Sequence, residues 1–253
     1  MKTLNLWAVT VALVLTACGG ETSEAGVRVD TLTEGLDHPW ALSFLPDGDI
    51  LVTERPGALK RFSAEGKMQA EISGVPEVDA RNQGGLLDVA LHPDFASNRY
   101  VYLTWSGAGE GGNATHLGRG KLEDNRLRDF ETLFVATPFV ESTKHFGSRL
   151  VFDGDGHLFM TVGERGQRDR AQDLDDHNGS VLRLNPDGSV PGDNPFGSPV
   201  WSLGHRNPQG LAFDGRGRLW SAEHGPSGLS SGRDEINLIR RGGDYGWPEI
   251  TGG

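Results

Sequence analysis

The chain has 253 residues, 36% hydrophobic and 8% aromatic, which is enough apolar material for a core and excludes global disorder. Its formal charge of −11 disfavours nucleic acid as a partner. With 37 Gly and 13 Pro, the composition suits many short strands joined by turns better than long helices.

The N-terminus reads as a leader. Met1-Lys2 is a small positive start, and residues 6–15 form an apolar run interrupted by Thr10. That run is too short to span a bilayer, so it reads as the core of a signal peptide. Leu15-Thr16-Ala17-Cys18 then resembles a bacterial lipobox, in which Cys18 becomes the lipidated first residue. The predicted organisation is a lipoprotein signal over residues 1–18, a flexible polar tether over 19–26 and a β domain over 27–253. An exported, periplasmic or cell-envelope protein is expected, held to the membrane by Cys18 alone. Apart from the lipidated Cys18 the mature chain then has no cysteine, which rules out disulfides, cysteine-ligated zinc and iron–sulfur clusters. No second apolar run is long enough for a transmembrane helix.

The body repeats one phrase: an apolar strand, a turn rich in Asp, Gly or Pro, and a second strand. The copies run over residues 40–54, 86–105, 148–164 and 209–223. Anchored at Phe44, Leu91, Phe152 and Phe213, they are spaced 47, 61 and 61 residues apart. Such a period of short strands predicts an all-β propeller with about four blades present. Alternation such as Leu158, Met160 and Val162 against Phe159 and Thr161 supports strands. Four unrelated hairpins in a sandwich would not produce the recurring phrase. Four blades alone would leave sheet edges and apolar faces open, so further blades or a partner are expected to close the ring. Gly107 to Gly112 fits G-x-G-x-x-G, but no helical pattern follows, so it reads as a flexible loop. Asp173, Asp175 and Asp176 beside His177 read as a solvated acidic loop.

The later segments are more specific. They are Trp201-Ser202-Leu203-Gly204-His205-Arg206-Asn207-Pro208-Gln209-Gly210, then Glu223-His224-Gly225-Pro226 with Asp234-Glu235-Ile236-Asn237, then Asp244-Tyr245-Gly246-Trp247-Pro248. Earlier come Asn82-Gln83-Gly84-Gly85, His145-Phe146-Gly147-Ser148-Arg149-Leu150 and Gly163-Glu164. In this order they resemble the glucose/sorbosone dehydrogenase family, six-bladed propellers that use pyrroloquinoline quinone (PQQ) and calcium. The wording is similar to the aldose sugar dehydrogenase branch. The resemblance implies oxidation of an aldose at C1 to a lactone, with an external quinone or cytochrome as final electron acceptor.

It also implies roles. His145 is the expected catalytic base, since imidazole titrates near neutrality. The backbone carbonyls of Gly225 and Pro226 are expected to bind a calcium ion that polarises PQQ. Arg206 and Asn207 are expected to contact PQQ, and Arg206 to stabilise developing charge. Gln83 is expected to hydrogen-bond His145 or the sugar, beside the cofactor. Asp234, Glu235 and Tyr245 match a structural calcium region. Lys144 and Arg165 stand where the glucose-specific branch has an acidic residue and a glutamine near the sugar, which favours a broader aldose range. Arg165 is then an expected cofactor-side contact, and Lys144 a residue that lowers the pKa of His145 if their side chains meet. The family's remaining PQQ contacts lie in later blades, so this piece alone is expected to be inactive. A non-catalytic binding propeller and a metal-dependent propeller hydrolase are the rival readings.

Overall fold

Each copy of the repeated phrase folds as an antiparallel hairpin, and the third and fourth share one turn chemistry at the tip. Asp153 Oδ1 accepts the N–H groups of Asp155 (3.0 Å) and His157 (2.8 Å), and Asp214 Oδ1 accepts those of Arg216 and Arg218 (both 2.9 Å). A short acceptor side chain thus closes the turn, and a glycine supplies its left-handed residue.

The computed structural model describes residues 28–226 and 233–250. The chain divides into an N-terminal unit, residues 1–31, and a second unit, residues 32–253. In the first unit only residues 28–31 are described; they form no strand, and Arg28 Nε donates to Asp30 Oδ1 (2.9 Å). The leader, the tether and Cys18 lie outside the described residues.

The second unit holds four up-and-down sheets. The first is β1 (Pro39–Phe44), β2 (Ile50–Glu54), β3 (Ala58–Phe62) and β4 (Met68–Glu71). The second is β5 (Leu86–Leu91), β6 (Tyr100–Gly109), β7 (Gly112–Glu123) and β8 (Arg126–Val135). The third is β9 (Leu150–Phe152), β10 (Leu158–Val162), β11 (Ser180–Leu184) and β12 (Val200–Ser202). The fourth is β13 (Pro208–Phe213), β14 (Leu219–Glu223) and β15 (Glu235–Ile239). This is a four-blade propeller arc, and the first strands of successive blades adjoin. The four sequence anchors fall on the last residue of β1, β5, β9 and β13, so the repeat and the blade coincide. Among the described residues helix is confined to α1 (Phe95–Asn98) and a 3-10 turn (Arg168–Gln172), and no helix is long and apolar enough to cross a membrane.

The core lies between blades. One apolar cluster joins the first and second blades (Leu51, Leu59, Leu86, Leu103), and another the second and third (Tyr102, Leu117, Met160, Leu182). A third joins the third and fourth (Phe159, Val181, Leu211, Leu219). The alternation along β10 therefore sorts Leu158, Met160 and Val162 toward the second blade and Phe159 toward the fourth, with every residue buried.

Hydroxyls tie the blades together as well. Thr53 Oγ1 donates to the Leu87 carbonyl (2.6 Å), Thr104 Oγ1 to Ser148 (2.8 Å) and Thr161 Oγ1 to Pro208 (2.8 Å), each reaching the next blade. The same oxygens accept the N–H groups of Ala41 (3.0 Å), Asp88 (2.9 Å) and Arg149 (2.9 Å). In the fourth blade the matching position is Ala222, opposite Gly210 as Thr53 is opposite Ala41.

Residues 107–112 differ from the expected flexible loop. They are the paired ends of β6 and β7, with Gly107 opposite Ala114 and Gly109 opposite Gly112. Glycine is required for packing, because a Cβ at Gly107 would meet the His116 ring and one at Gly109 the Phe139 ring. The acidic loop is solvated only in part: Asp173 and Asp175 are exposed, whereas Asp176 is buried against Arg170, and His177 Nδ1 accepts the Thr137 N–H (2.9 Å). Among the described residues the one group spaced to hold a metal is Asp153, Asp155 and His157, at a hairpin tip where Arg183 already donates to the His157 ring.

Candidate active site

The loops that precede each first strand meet the ends of β10 and β14 at one end of the arc. His145 lies in the loop before β9, in a left-handed conformation (φ 56°), and is 7% exposed. Three interactions fix it. Its Nδ1 lies 3.0 Å from Glu164 Oε1, its backbone N–H donates to Gln83 Oε1 (2.8 Å), and the N–H of Gly147 donates to Asn207 Oδ1 (3.1 Å). Glu164 is 1% exposed, and its second oxygen accepts the Gly166 N–H. A carboxylate on Nδ1 selects the tautomer with its proton there and leaves Nε2 as the basic atom. Among the described residues Nε2 has no hydrogen-bond partner, and it is not sealed from solvent.

A second pair of the same kind lies one blade on. His205 Nδ1 is 3.0 Å from Glu223 Oε2, but its Nε2 is capped by Ser202 Oγ (2.9 Å). Ser202 and His205 are fully buried, Glu223 is 6% exposed, and the Tyr245 ring stacks on His205 at 4.7 Å. The two pairs are joined through the backbone of Arg206. Its N–H donates to Glu223 Oε1 (2.7 Å), and its carbonyl accepts the Glu164 N–H (2.9 Å).

Several expected roles change. Gln83 holds the main chain of His145 and does not touch its ring, so it is a positioning residue. Arg165 is 1% exposed and therefore cannot be a cofactor contact. Its guanidinium donates to the carbonyls of Lys144 (3.0 Å) and Asn113 (3.1 Å) and lies 3.7 Å over the Phe146 ring; burial holds its pKa down to about 10. Lys144 is exposed and lies across Gly166. Tyr245 does not join Asp234 and Glu235: its hydroxyl donates to the Leu238 carbonyl (2.6 Å) and accepts the Arg240 N–H (2.8 Å). Those groups lie at the far end of β15, about 15 Å from Asp234 at ordinary strand rise.

The remaining residues offer the donor types that the implied groups need. The Gly225 and Pro226 carbonyls accept no hydrogen bond among the described residues, and a hard cation requires such oxygens. Asp234 Oδ1 pins the turn by accepting the Gly225 N–H (3.0 Å), and a Cβ on Gly225 would collide with the Arg233 carbonyl. Asp234 and Glu235 also line a cavity of about 380 Å³ with Gln209 and His224. The Arg206 guanidinium is half-buried, donates to the His224 carbonyl (3.1 Å) and lies 5.5 Å from the Trp247 ring. With Oδ1 committed to Gly147, Asn207 keeps Nδ2 as an available donor. A fixed guanidinium and an amide N–H suit a carboxylate-bearing quinone.

Glu164, His205 and Glu223 did not stand out as site residues in the sequence. Their signal lay in the repeat, whose first, third and fourth copies end in Glu54, Glu164 and Glu223.

A sequence profile described as Glucose / Sorbosone dehydrogenase matches residues 36–253. The chain belongs to the glucose/sorbosone dehydrogenase family. Aldose sugar dehydrogenase YliI of Escherichia coli (strain K12) is 47% identical over 240 residues, covering 90% of this chain and 64% of that protein. Quinoprotein glucose dehydrogenase B of Acinetobacter calcoaceticus is 36% identical over 256 residues, covering 87% and 52%. Among solved structures, apo aldose sugar dehydrogenase from Escherichia coli superposes with a TM-score of 0.83 at 46% identity, covering 88% of this chain and 66% of that one. The PQQ-bound aldose sugar dehydrogenase of Streptomyces coelicolor gives 0.78 at 38%, also covering 88% and 66%. The chain thus spans between about half and two thirds of the length of these family members.

Proposed function

We propose that this chain carries the base-bearing blades of a PQQ-dependent aldose sugar dehydrogenase that oxidises a sugar hemiacetal at C1 to the lactone. The carrying observation is the His145–Glu164 pair, with Nδ1 held at 3.0 Å and Nε2 open. His145 Nε2 takes the C1 hydroxyl proton, and Glu164 stabilises the imidazolium that forms. Gln83 and Asn207 keep the loop in register through the His145 and Gly147 N–H groups. The guanidinium of Arg206 and Nδ2 of Asn207 would hold PQQ, and the carbonyls of Gly225 and Pro226 would hold calcium beside it. When bound, these groups supply the two-electron acceptor for the C1 hydride and its polarisation. Asp234 fixes the Gly225 turn, while Asp234 and Glu235 offer oxygen ligands at a separate site.

The leader pattern and the lipobox at Cys18 support a location outside the cytoplasm on a lipid anchor, with a quinone or cytochrome taking the electrons. Labelled palmitate is expected on the expressed protein and absent from Cys18→Ser.

The deciding experiment expresses the full-length gene product without its leader. Dye reduction with a panel of aldoses is expected to need both PQQ and calcium and to collapse in His145→Ala. Activity unchanged in His145→Ala, or indifferent to PQQ, would refute the reading.

A further inference from the structure

Arg165 reaches into the His145 loop as a buried cation with no direct carboxylate partner among the described residues. It too is left-handed (φ 63°) and directly follows Glu164, which holds the His145 ring. Its guanidinium donates to four oxygens, two from the loop before β9 and two from β7: the carbonyls of Ser142 and Lys144, and the carbonyl and Oδ1 of Asn113. Its flat face covers Phe146. The guanidinium thus grips the residues on both sides of His145. Asn113 is itself anchored, since its Nδ2 donates to Asp79 Oδ2 (3.0 Å), whose carboxyl the hydrogen-bonding Arg81 holds down to about 2.

A buried arginine in the service of three carbonyls and an amide recruits no ligand. It fixes the path of the backbone, and its planar fork is the part a lysine cannot reproduce. We propose that Arg165 is the positioning residue of the base: its fork holds the 142–146 loop, so that the His145 ring stays on Glu164 with Nε2 presented. This rests on His145 being the base, but it concerns the ring's attachment and can be read without substrate or cofactor.

The test is NMR of the intact chain labelled with ¹⁵N-histidine. Both His145 and His205 carry an Nδ1–H held by a buried glutamate, so each is expected to give a downfield, slowly exchanging proton. His145→Gln assigns the first, and the second serves as internal reference one blade away. In Arg165→Met the His145 signal is expected to exchange at least about tenfold faster, or to vanish, with His205 unchanged. Arg165→Lys, which keeps the charge and loses the fork, is expected to behave like Arg165→Met. Retention of the His145 signal in Arg165→Met would overturn the proposal, and full rescue by lysine would replace the fork with charge alone. If both signals vanish because Arg165→Met does not fold, Asn113→Ser decides, since it removes one acceptor and leaves Arg165 in place. Faster exchange at His145 alone then supports the proposal, and unchanged exchange at both overturns it. None of these outcomes depends on turnover, so a failed sugar assay and a failed positioning role remain distinguishable.

Discussion

At the residue scale, what distinguishes His145 is the state of its two nitrogens. Glu164 is 1% exposed, and its two oxygens are held by the imidazole and by the Gly166 N–H. Glu164→Gln preserves the shape but removes the charge that stabilises the imidazolium. It is expected to lower kcat of the PQQ-loaded full-length enzyme by about 10²–10⁴-fold with little change in KM, read by steady-state dye reduction. Gln83→Ala, which frees only a backbone N–H of the same loop, is expected to cost far less. His145, Arg206 and the Gly225-Pro226 turn were visible in the sequence as candidates because their motifs are local. The role of Arg165 was not. Whether a guanidinium faces a ligand or is swallowed by carbonyls depends on where Ser142, Lys144 and Asn113 come to lie, and Asn113 is 52 residues away. Tyr245 was misplaced for a related reason: a shared motif says nothing about which end of β15 its hydroxyl reaches.

At the scale of the element, the second strand of each blade carries the structural message. In the second and third blades its alternation feeds two interfaces at once, and in the first three its threonine hydroxyl ties it to the next blade. Thr161→Val keeps the volume but strands the Pro208 carbonyl and the Arg149 N–H in a buried setting. A loss of about 2 kcal/mol in unfolding free energy is expected, read as a lower urea midpoint with the slope unchanged. The strand pairs and blade period were legible because period-2 patterning and Asp-Gly turns are short-range signals. The hydroxyl ties were not legible, because a threonine in a strand looks the same whether it reaches its neighbour or solvent. The Gly-rich end of β6 was read as a loop since the rings of His116 and Phe139, which demand its glycines, approach from other segments.

At the scale of the whole molecule, the inner strands are cross-linked by one ion pair. Arg149 Nη1 lies 2.8 Å from Asp88 Oδ1, its Nε donates to the Gln209 carbonyl (2.9 Å), and its plane sits 4.4 Å from the Trp40 ring. One side chain thus touches the first strands of the first, second and fourth blades from its seat at the third. Asp88 also accepts the Leu150 N–H (2.6 Å), and burial pushes its carboxyl up to about 6 against the opposing pull of Arg149. The folded chain therefore binds this proton more tightly than the unfolded chain between about pH 4 and 6, and the contribution of Asp88 to stability falls as pH rises through that window. Arg149→Met leaves the charge buried and unpaired. A cost of about 3–5 kcal/mol is expected at pH 7, shrinking as the pH is lowered toward 4, where Asp88 is neutral; urea unfolding at both pH values checks it. The repeat carries one more consequence. Ser202, His205 and Glu223 reproduce the order of contacts of a serine hydrolase, hydroxyl to imidazole to carboxylate. No substrate can reach them, because the hydroxyl and ring are wholly enclosed. The neighbouring blade bears the same imidazole and carboxylate, but Ser142, which stands three residues before His145 as Ser202 stands before His205, does not cap the ring, so Nε2 is left open there.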